Sequence, residues 1–374
     1  MERRTFLKLA ARFGGASLAA YALGGCRKAL TAVMTPTISR GLLATHTPAS
    51  ASEDNPTSMP TMTLEPTVHP GIPSAGIVLV KTEDRASGVN RALEIFGSAD
   101  LQGKNVLVKP NYNSSDPAPG STDNAVLIPV IEWLHGGGVD NLTVADRSGM
   151  GDTRMVMEKK GLPALAEDYG FKQLVFDDLG PEDWIKVNFD GSYWWSGFPI
   201  ARPVIEADGI VSVCCLKTHQ YGGHFTMSLK NSVGMVASKV PGDSADYMLG
   251  TLHNSPRQRE MIADINTAYS PDLIVLDGID AFIDGGPHSG TIVHPGVIIV
   301  GTDRVAVDAV GVAILRYFGT TVQVRSGPIF EQAQIARAVT LGLGVDVPEK
   351  IQLITDDPES KAFAAEIQGI LDLG

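Results

Sequence analysis

The segment LKTHQYGGHFTMSLKNSVG (216–234) sets two lysines and two histidines around a pair of glycines, directly after an apolar run. Lysine ammonium groups oppose carboxylate or phosphate, and neutral imidazoles accept protons or donate lone pairs to divalent metals. Gly222 and Gly223 let the backbone approach whatever those side chains hold. Lys217, His219 and Lys230 are therefore candidate catalytic residues. Further along, His253 adds another imidazole and Asp277 a hard oxygen ligand. With His219 they make a candidate ligand set for a divalent metal, and three such ligands leave open positions for substrate. A protonated lysine has no lone pair, so the lysines would orient an anionic substrate beside such a metal. His224 reads as a loop residue.

The same signal recurs along the chain. Short apolar, β-branched runs end in polar residues: NVLVKPN (105–111) in Lys109 and Asn111, NLTVAD (141–146) in Asp146, and SVCCLKTH (212–219) in Lys217 and His219. LIVLDG (273–278) ends near Asp277 and VIIVGTD (297–303) in Asp303. Open parallel sheets bind ligands outside the carboxyl ends of their strands. If these strands are parallel, Lys109, Asn111, Asp146 and Asn231 would bind substrate in one crevice with the catalytic candidates. Asp303 precedes a helical pattern and reads first as its N-cap. A helix over FTMSLKNSVGMV (225–236) would put Lys230 and Asn231 on its first turns, near an N-terminus that favours anions.

Positioning such residues requires a frame, and the pattern from residue 76 onward supplies one. Buried-strand runs alternate with helical stretches, which predicts a three-layer α/β domain with a mainly parallel sheet over 73–374. Residues 181–205, with Trp184, Trp194 and Trp195, read as a small antiparallel excursion of short strands.

The N-terminal stretches read differently. Residues 1–26 carry Arg3-Arg4, a mildly apolar run, and Leu23-Gly24-Gly25-Cys26. This is the pattern of a twin-arginine export signal ending in a lipobox, with Cys26 as the lipidated residue. The expected partners are the twin-arginine export machinery and, through the lipid anchor, the outer face of the cytoplasmic membrane. Residues 27–72 are rich in Ser, Thr and Pro without apolar periodicity, so a disordered linker is expected. The formal net charge of −12 argues against nucleic acid as a partner. Cys214 and Cys215 are adjacent and read as buried free thiols. No CxxC pair occurs, so no iron–sulfur cluster is expected in this chain. The loop DGGPHSG (284–290) lacks GxGxxG spacing, and GxSxG is absent.

The motifs VKPNYN (108–113), LKTH (216–219), FTMSLKNSVG (225–234), DGIDAFIDGGP (277–287) and GTDRVAVDAVG (301–311) together resemble the family of domain of unknown function 362. That resemblance implies no defined activity. Many members of the family also carry a ferredoxin-like cluster segment, for which this chain lacks the cysteines. The order of His219, Lys230, Gly234 and His253 is in addition similar to a stretch of nickel-pincer lactate racemases, which would imply a cofactor on Lys230 and a metal on His253. Two classes of function stay open. One is an exported enzyme, dependent on a metal or another cofactor, that acts on a small anionic substrate. The other is a lipid-anchored protein that binds a small anion or a metal without chemistry.

Overall fold

A computed structural model describes residues 59–64 and 74–374. The expected signal and the lipidation site at Cys26 lie outside the described residues. Thirteen strands occur among them. The first seven are β1 (Thr61–Thr63), β2 (Ala75–Lys81), β3 (Asn105–Lys109), β4 (Asn141–Asp146), β5 (Lys172–Val175), β6 (Trp184–Asn188) and β7 (Phe198–Ala201). They are followed by β8 (Gly209–His219), β9 (His224–Thr226), β10 (Leu273–Phe282), β11 (Ile292–Val293), β12 (Val297–Gly301) and β13 (Ile351–Ile354).

The large sheet runs in the order β13-β2-β12-β10-β8-β3-β4-β5, with β9 and β11 as antiparallel additions to β8 and β10. Its strands are parallel except β12, which is antiparallel to both β2 and β10. Alternation along β8 shows why the sheet is buried on both faces. Val211 and Val213 pack into a core shared with helices Arg85–Phe96 and Asn124–Gly136. Cys214 and Leu216 face the opposite core, with helices Arg304–Tyr317 and Pro358–Leu373. This is the three-layer α/β arrangement. Asp84, Asp123, Asp303 and Asp357 begin four of these helices, each accepting a backbone N–H of the first turn. Cys214 and Cys215 are buried free thiols.

The antiparallel excursion is β6 and β7, which pack through Trp184, Val187 and Phe198 into a third core that also holds Trp194. Part of the stretch expected to be linker joins it: β1 pairs in parallel with β6, Thr61 opposite Lys186. Main-chain pairing with β6 orders that segment together with Met59, Met62 and Leu64, which pack against the third core.

The inverted β12 corrects one sequence reading. Its carboxyl end lies at the opposite edge of the sheet from those of β3, β4 and β8, so Asp303 does not share their rim. Asp303 instead caps helix Arg304–Tyr317, accepting from Val305 N at 2.8 Å and Ala306 N at 2.9 Å. Its other oxygen accepts from Val345 N at 2.8 Å. Replacing Asp303 by Ala should orphan these N–H groups and lower stability by about 2–3 kcal/mol. Urea unfolding of the two proteins would measure it, and an unchanged midpoint would refute the assignment.

Candidate functional site

Adjacent parallel strands bring Lys109, at the end of β3, to Asp146, at the end of β4. The ammonium and carboxylate are 2.6 Å apart and both are buried. Burial pushes the Lys109 amine down and the Asp146 carboxyl up, while the pairing opposes both shifts. Further hydrogen bonds offset the desolvation. Asp146 accepts from Tyr112 N at 2.7 Å and Arg147 N at 2.6 Å. Lys109 donates to Pro110 O at 2.7 Å and to Asn231 Oδ1 at 3.3 Å. Asn231 Nδ2 donates back to Lys109 O and to Ser212 Oγ, which ties the turn after β9 to the sheet. Gly234 sits against this pair. A Cβ there would lie 2.4 Å from Asp146 Oδ1 and 2.7 Å from Lys109 Nζ, so only glycine fits.

The segment 216–234 folds over the same place. β8 ends at His219, a turn at 220–223 reverses the chain, and β9 leads into a short helix, Ser228–Asn231. Lys217 is fully buried and donates to Gly120 O at 2.5 Å. Burial lowers its amine to about 8. Lys230 is 8% exposed. Burial, then Lys217 and Arg147, lower it to about 7. The Arg147 guanidinium is held by the carbonyls of Val236, Ser148 and Val233. His219 is kept well below the ordinary imidazole range by burial and then by Lys230, so it is neutral. His253 is lowered to about 4 by burial and then Lys230. Gly223 gives these groups room: a Cβ there would lie 2.8 Å from Lys230 Cε and 3.1 Å from His219 Nδ1.

Together these side chains line a cavity of about 710 Å³. Four cationic side chains face it, Lys109, Arg147, Lys217 and Lys230, against two carboxylates, Asp146 and Asp177. Asp146 is engaged by Lys109, and Asp177 accepts from the Thr153 hydroxyl. Asn111 Oδ1, Asn113 Nδ2, Ser148 Oγ, His219 Nδ1 and Thr226 Oγ1 are buried without a hydrogen-bond partner. All five residues line the same cavity. Unsatisfied buried groups are rare in folded proteins, and five in one concavity point to a ligand that completes them.

The structure therefore brings together Lys109, Asn111, Asp146, Lys217, His219, Lys230, Asn231 and His253. It does not bring Asp277. That residue pairs in register with Cys215, below the rim, and β10 continues past a register shift until Phe282 stands level with Lys217. Its carboxylate accepts from Arg85 Nε at 2.9 Å and Ile279 N at 3.0 Å. The expected metal set of His219, His253 and Asp277 is thus not assembled. Among the described residues no three His, Cys, Asp or Glu side chains converge to hold a metal. The two imidazoles remain as lone-pair donors, and a divalent metal bound by them would take its other ligands from substrate, cofactor or water.

The expected helix over 225–236 is also shorter, a single turn followed by a 3₁₀ turn at Ser232–Met235. Its N-terminus is closed to anions, because Asp308 accepts from Ser228 N at 2.8 Å and Leu229 N at 3.3 Å. Lys230 and Asn231 act through their side chains alone. His224 is half-buried and does not line the cavity. Arg147, Asn113, Ser148 and Thr226 were not singled out by the sequence. Arg147 could have been, since it directly follows Asp146 at a strand end.

The family model described as Domain of unknown function (DUF362) matches residues 106–313. A protein described as thylakoid-associated, from Synechocystis sp., is 27% identical over 236 residues, which is 61% of this chain and 68% of that protein. Among solved structures, the lactate racemase apoprotein from Thermoanaerobacterium thermosaccharolyticum aligns at 20% identity with a TM-score of 0.40, covering 60% of this chain and 54% of that one. A Thermotoga maritima protein aligns at 12% identity and a TM-score of 0.39, covering 64% and 59%. The chain thus spans little more than half the length of these two solved proteins.

The lysine environment has a consequence for stability. Lys230 titrates at about 7 in the fold against 10.5 ordinarily. Below pH 7 both folded and unfolded chains carry the proton, and the fold bears the full cost of a buried cation. Between 7 and 10.5 only the unfolded chain holds it, so stability rises with pH across that window and levels above it. Lys230→Met should remove on the order of 2 kcal/mol of that rise between pH 7 and 9.5. Urea unfolding at the two pH values reads it, and an equal rise in both proteins would show that Lys230 is not desolvated.

Proposed function

This chain belongs to the family of domain of unknown function 362, whose name assigns no chemistry, and we propose from its cavity an enzyme that binds a small anionic substrate and moves a proton on it. One observation carries the reading: Arg147, Lys217 and Lys230 converge on a single cavity, and among the described residues none of them has a carboxylate hydrogen-bonded to it. The chain as a whole is acidic, so this concentration of positive charge is local.

The roles divide by protonation. Burial lowers the Arg147 guanidinium from its ordinary range, but a guanidinium held by three carbonyls stays charged at neutrality, and Lys217, at about 8, is mostly charged there too. These two hold the substrate carboxylate or phosphate. Lys230, at about 7, is present in both forms and is suited to general acid–base catalysis. His219 and His253 are neutral, and His219 Nδ1 is unpartnered. They favour a second reading, in which the same substrate also meets a divalent metal or a cofactor held through these imidazoles. A protein that captures an anion without chemistry would use Arg147 and Lys217 alike but would have no use for a half-protonated Lys230.

Export by the twin-arginine route and a lipid on Cys26 complete the proposal. Arg3-Arg4 and Leu23-Gly24-Gly25-Cys26 support it. No helix among the described residues is long and apolar enough to cross a membrane.

Calorimetric titration with inorganic phosphate and with acetate tests the anion site. Lys217→Met should weaken binding about 10-fold or more, as expected for a charge-assisted hydrogen bond. Equal affinity in the two proteins would remove Lys217 from the site. Replacing Arg3-Arg4 by Lys-Lys should leave the protein in the cytoplasm, and Cys26→Ser should release the exported protein from the membrane fraction. Unchanged export and membrane retention would overturn the targeting proposal.

A further inference from the structure

The mouth of the cavity differs in character from its floor. Met150, Tyr221 and Leu249 all line it and are 39%, 50% and 74% exposed. They are three of the eleven large apolar side chains exposed among the described residues, gathered at one opening. Val233 and Met248, both buried, continue the apolar surface inward. Scattered exposed apolar residues are ordinary, but apolar side chains gathered at the rim of a pocket mark a contact surface.

Each rim residue comes from a different, held segment. Met150 lies in the glycine-flanked loop after β4, where its N–H donates to Asn113 O at 2.8 Å. Tyr221 lies in the turn after β8, with its ring edge-on to that of His219 at 5.8 Å. Leu249 lies in the π-helical turn Tyr247–Leu252, whose cap, Asp246, accepts from the N–H of Met248, Leu249 and Gly250. Leu249 is thus presented to solvent by a well-fixed backbone, and its side chain contributes nothing to the core.

Resting on the anion reading above, we infer that the substrate is an amphiphilic oxyanion: a carboxylate or phosphate head set against Lys217 and Arg147, with an alkyl or comparable apolar group leaving through the mouth across Met150, Tyr221 and Leu249. Charge complementarity fixes the head, and the apolar rim fixes the tail. A small, fully polar anion would leave the rim without a partner.

A chain-length series tests this. Full-length protein carrying Cys26→Ser, handled without detergent, is titrated calorimetrically with inorganic phosphate and with acetate, butanoate, hexanoate and octanoate. Affinity should rise about two- to four-fold per methylene, the upper value corresponding to full burial. Leu249→Ser and Met150→Ser should each lower the ratio of octanoate to acetate affinity by about five-fold or more, a ratio that a general loosening of the head site would not move. Vesicles of anionic phospholipid should displace octanoate if the tail belongs to a bilayer lipid, and should leave it bound if the amphiphile is free. A flat series alongside measurable acetate or phosphate binding would overturn the amphiphile while sparing the anion site. A rising series that ignores both rim substitutions would overturn the rim as the tail site. Failure of every probe to bind, phosphate included, would overturn the anion reading itself. Concentration-dependent dimerisation lost in Leu249→Ser, with a flat series, would reassign the rim to a second copy of the chain.

Discussion

The buried pair of Lys109 and Asp146 is the constraint from which the site follows. Val108 stands opposite Val144 in the parallel pairing of β3 and β4, so Lys109 and Asp146 end their strands within one residue of the same level. Two opposite charges placed there in a low dielectric must meet, since either one alone would be costly. Asn231 then binds both Lys109 and Ser212, which fixes the turn bearing Lys230. Gly234 must lack a side chain because the pair occupies its space. Engaged in this way, Asp146 forms no ion pair with the other cations of the cavity. Arg147, Lys217 and Lys230 are left to face the cavity with only Asp177 of opposite sign on its wall.

Much of this frame was legible in the sequence because β-branched runs buried on both faces leave few alternatives to central strands. The polar residues that end NVLVK, NLTVA and SVCCL stood out for the same reason: a charge adjoining a fully apolar run has to be stabilised by something. Direction was not legible. VIIVG reads identically whichever way β12 runs, and that inversion is what separates Asp303 from the others. Strand length was equally hidden. LIVLD looks complete at Asp277, but β10 continues through Gly278 and a register shift to Phe282, which leaves Asp277 among the pairs of Arg85 instead of on the rim.

Other parts depend on contacts between distant residues that no local pattern encodes. Asp308, inside a helix, closes the N-terminus of a turn 80 positions earlier in the chain. Burial raises its carboxyl to about 7, against the pull of those two backbone donors, which favour the ionised form. Arg147 follows Asp146 directly in the chain, a position that suggests an ion pair. Its guanidinium points instead to three carbonyls and keeps its charge for the cavity. The strand β1 is held by main-chain pairing with β6 and by Met62 and Leu64 against the third core, in a run too short to announce a strand.

The electrostatics of the cavity couple what it binds to protons. Lys230 is lowered by burial and by two cationic neighbours, Lys217 and Arg147, with no carboxylate among the causes. An anion entering this space supplies the missing opposite charge and raises the amine toward its ordinary value. Binding and protonation would then be the same event seen from two sides: near neutrality an anion would draw a proton onto Lys230, and the protonated lysine would hold it more tightly. The imidazoles respond less, because His219 and His253 start much further below neutrality. On the proposed anion-binding reading, one site would keep a lysine that gains a proton as the anion arrives beside imidazoles that stay neutral. That division would let a proton be placed next to a bound oxyanion, with Asp146 engaged by Lys109 and not by the other cations.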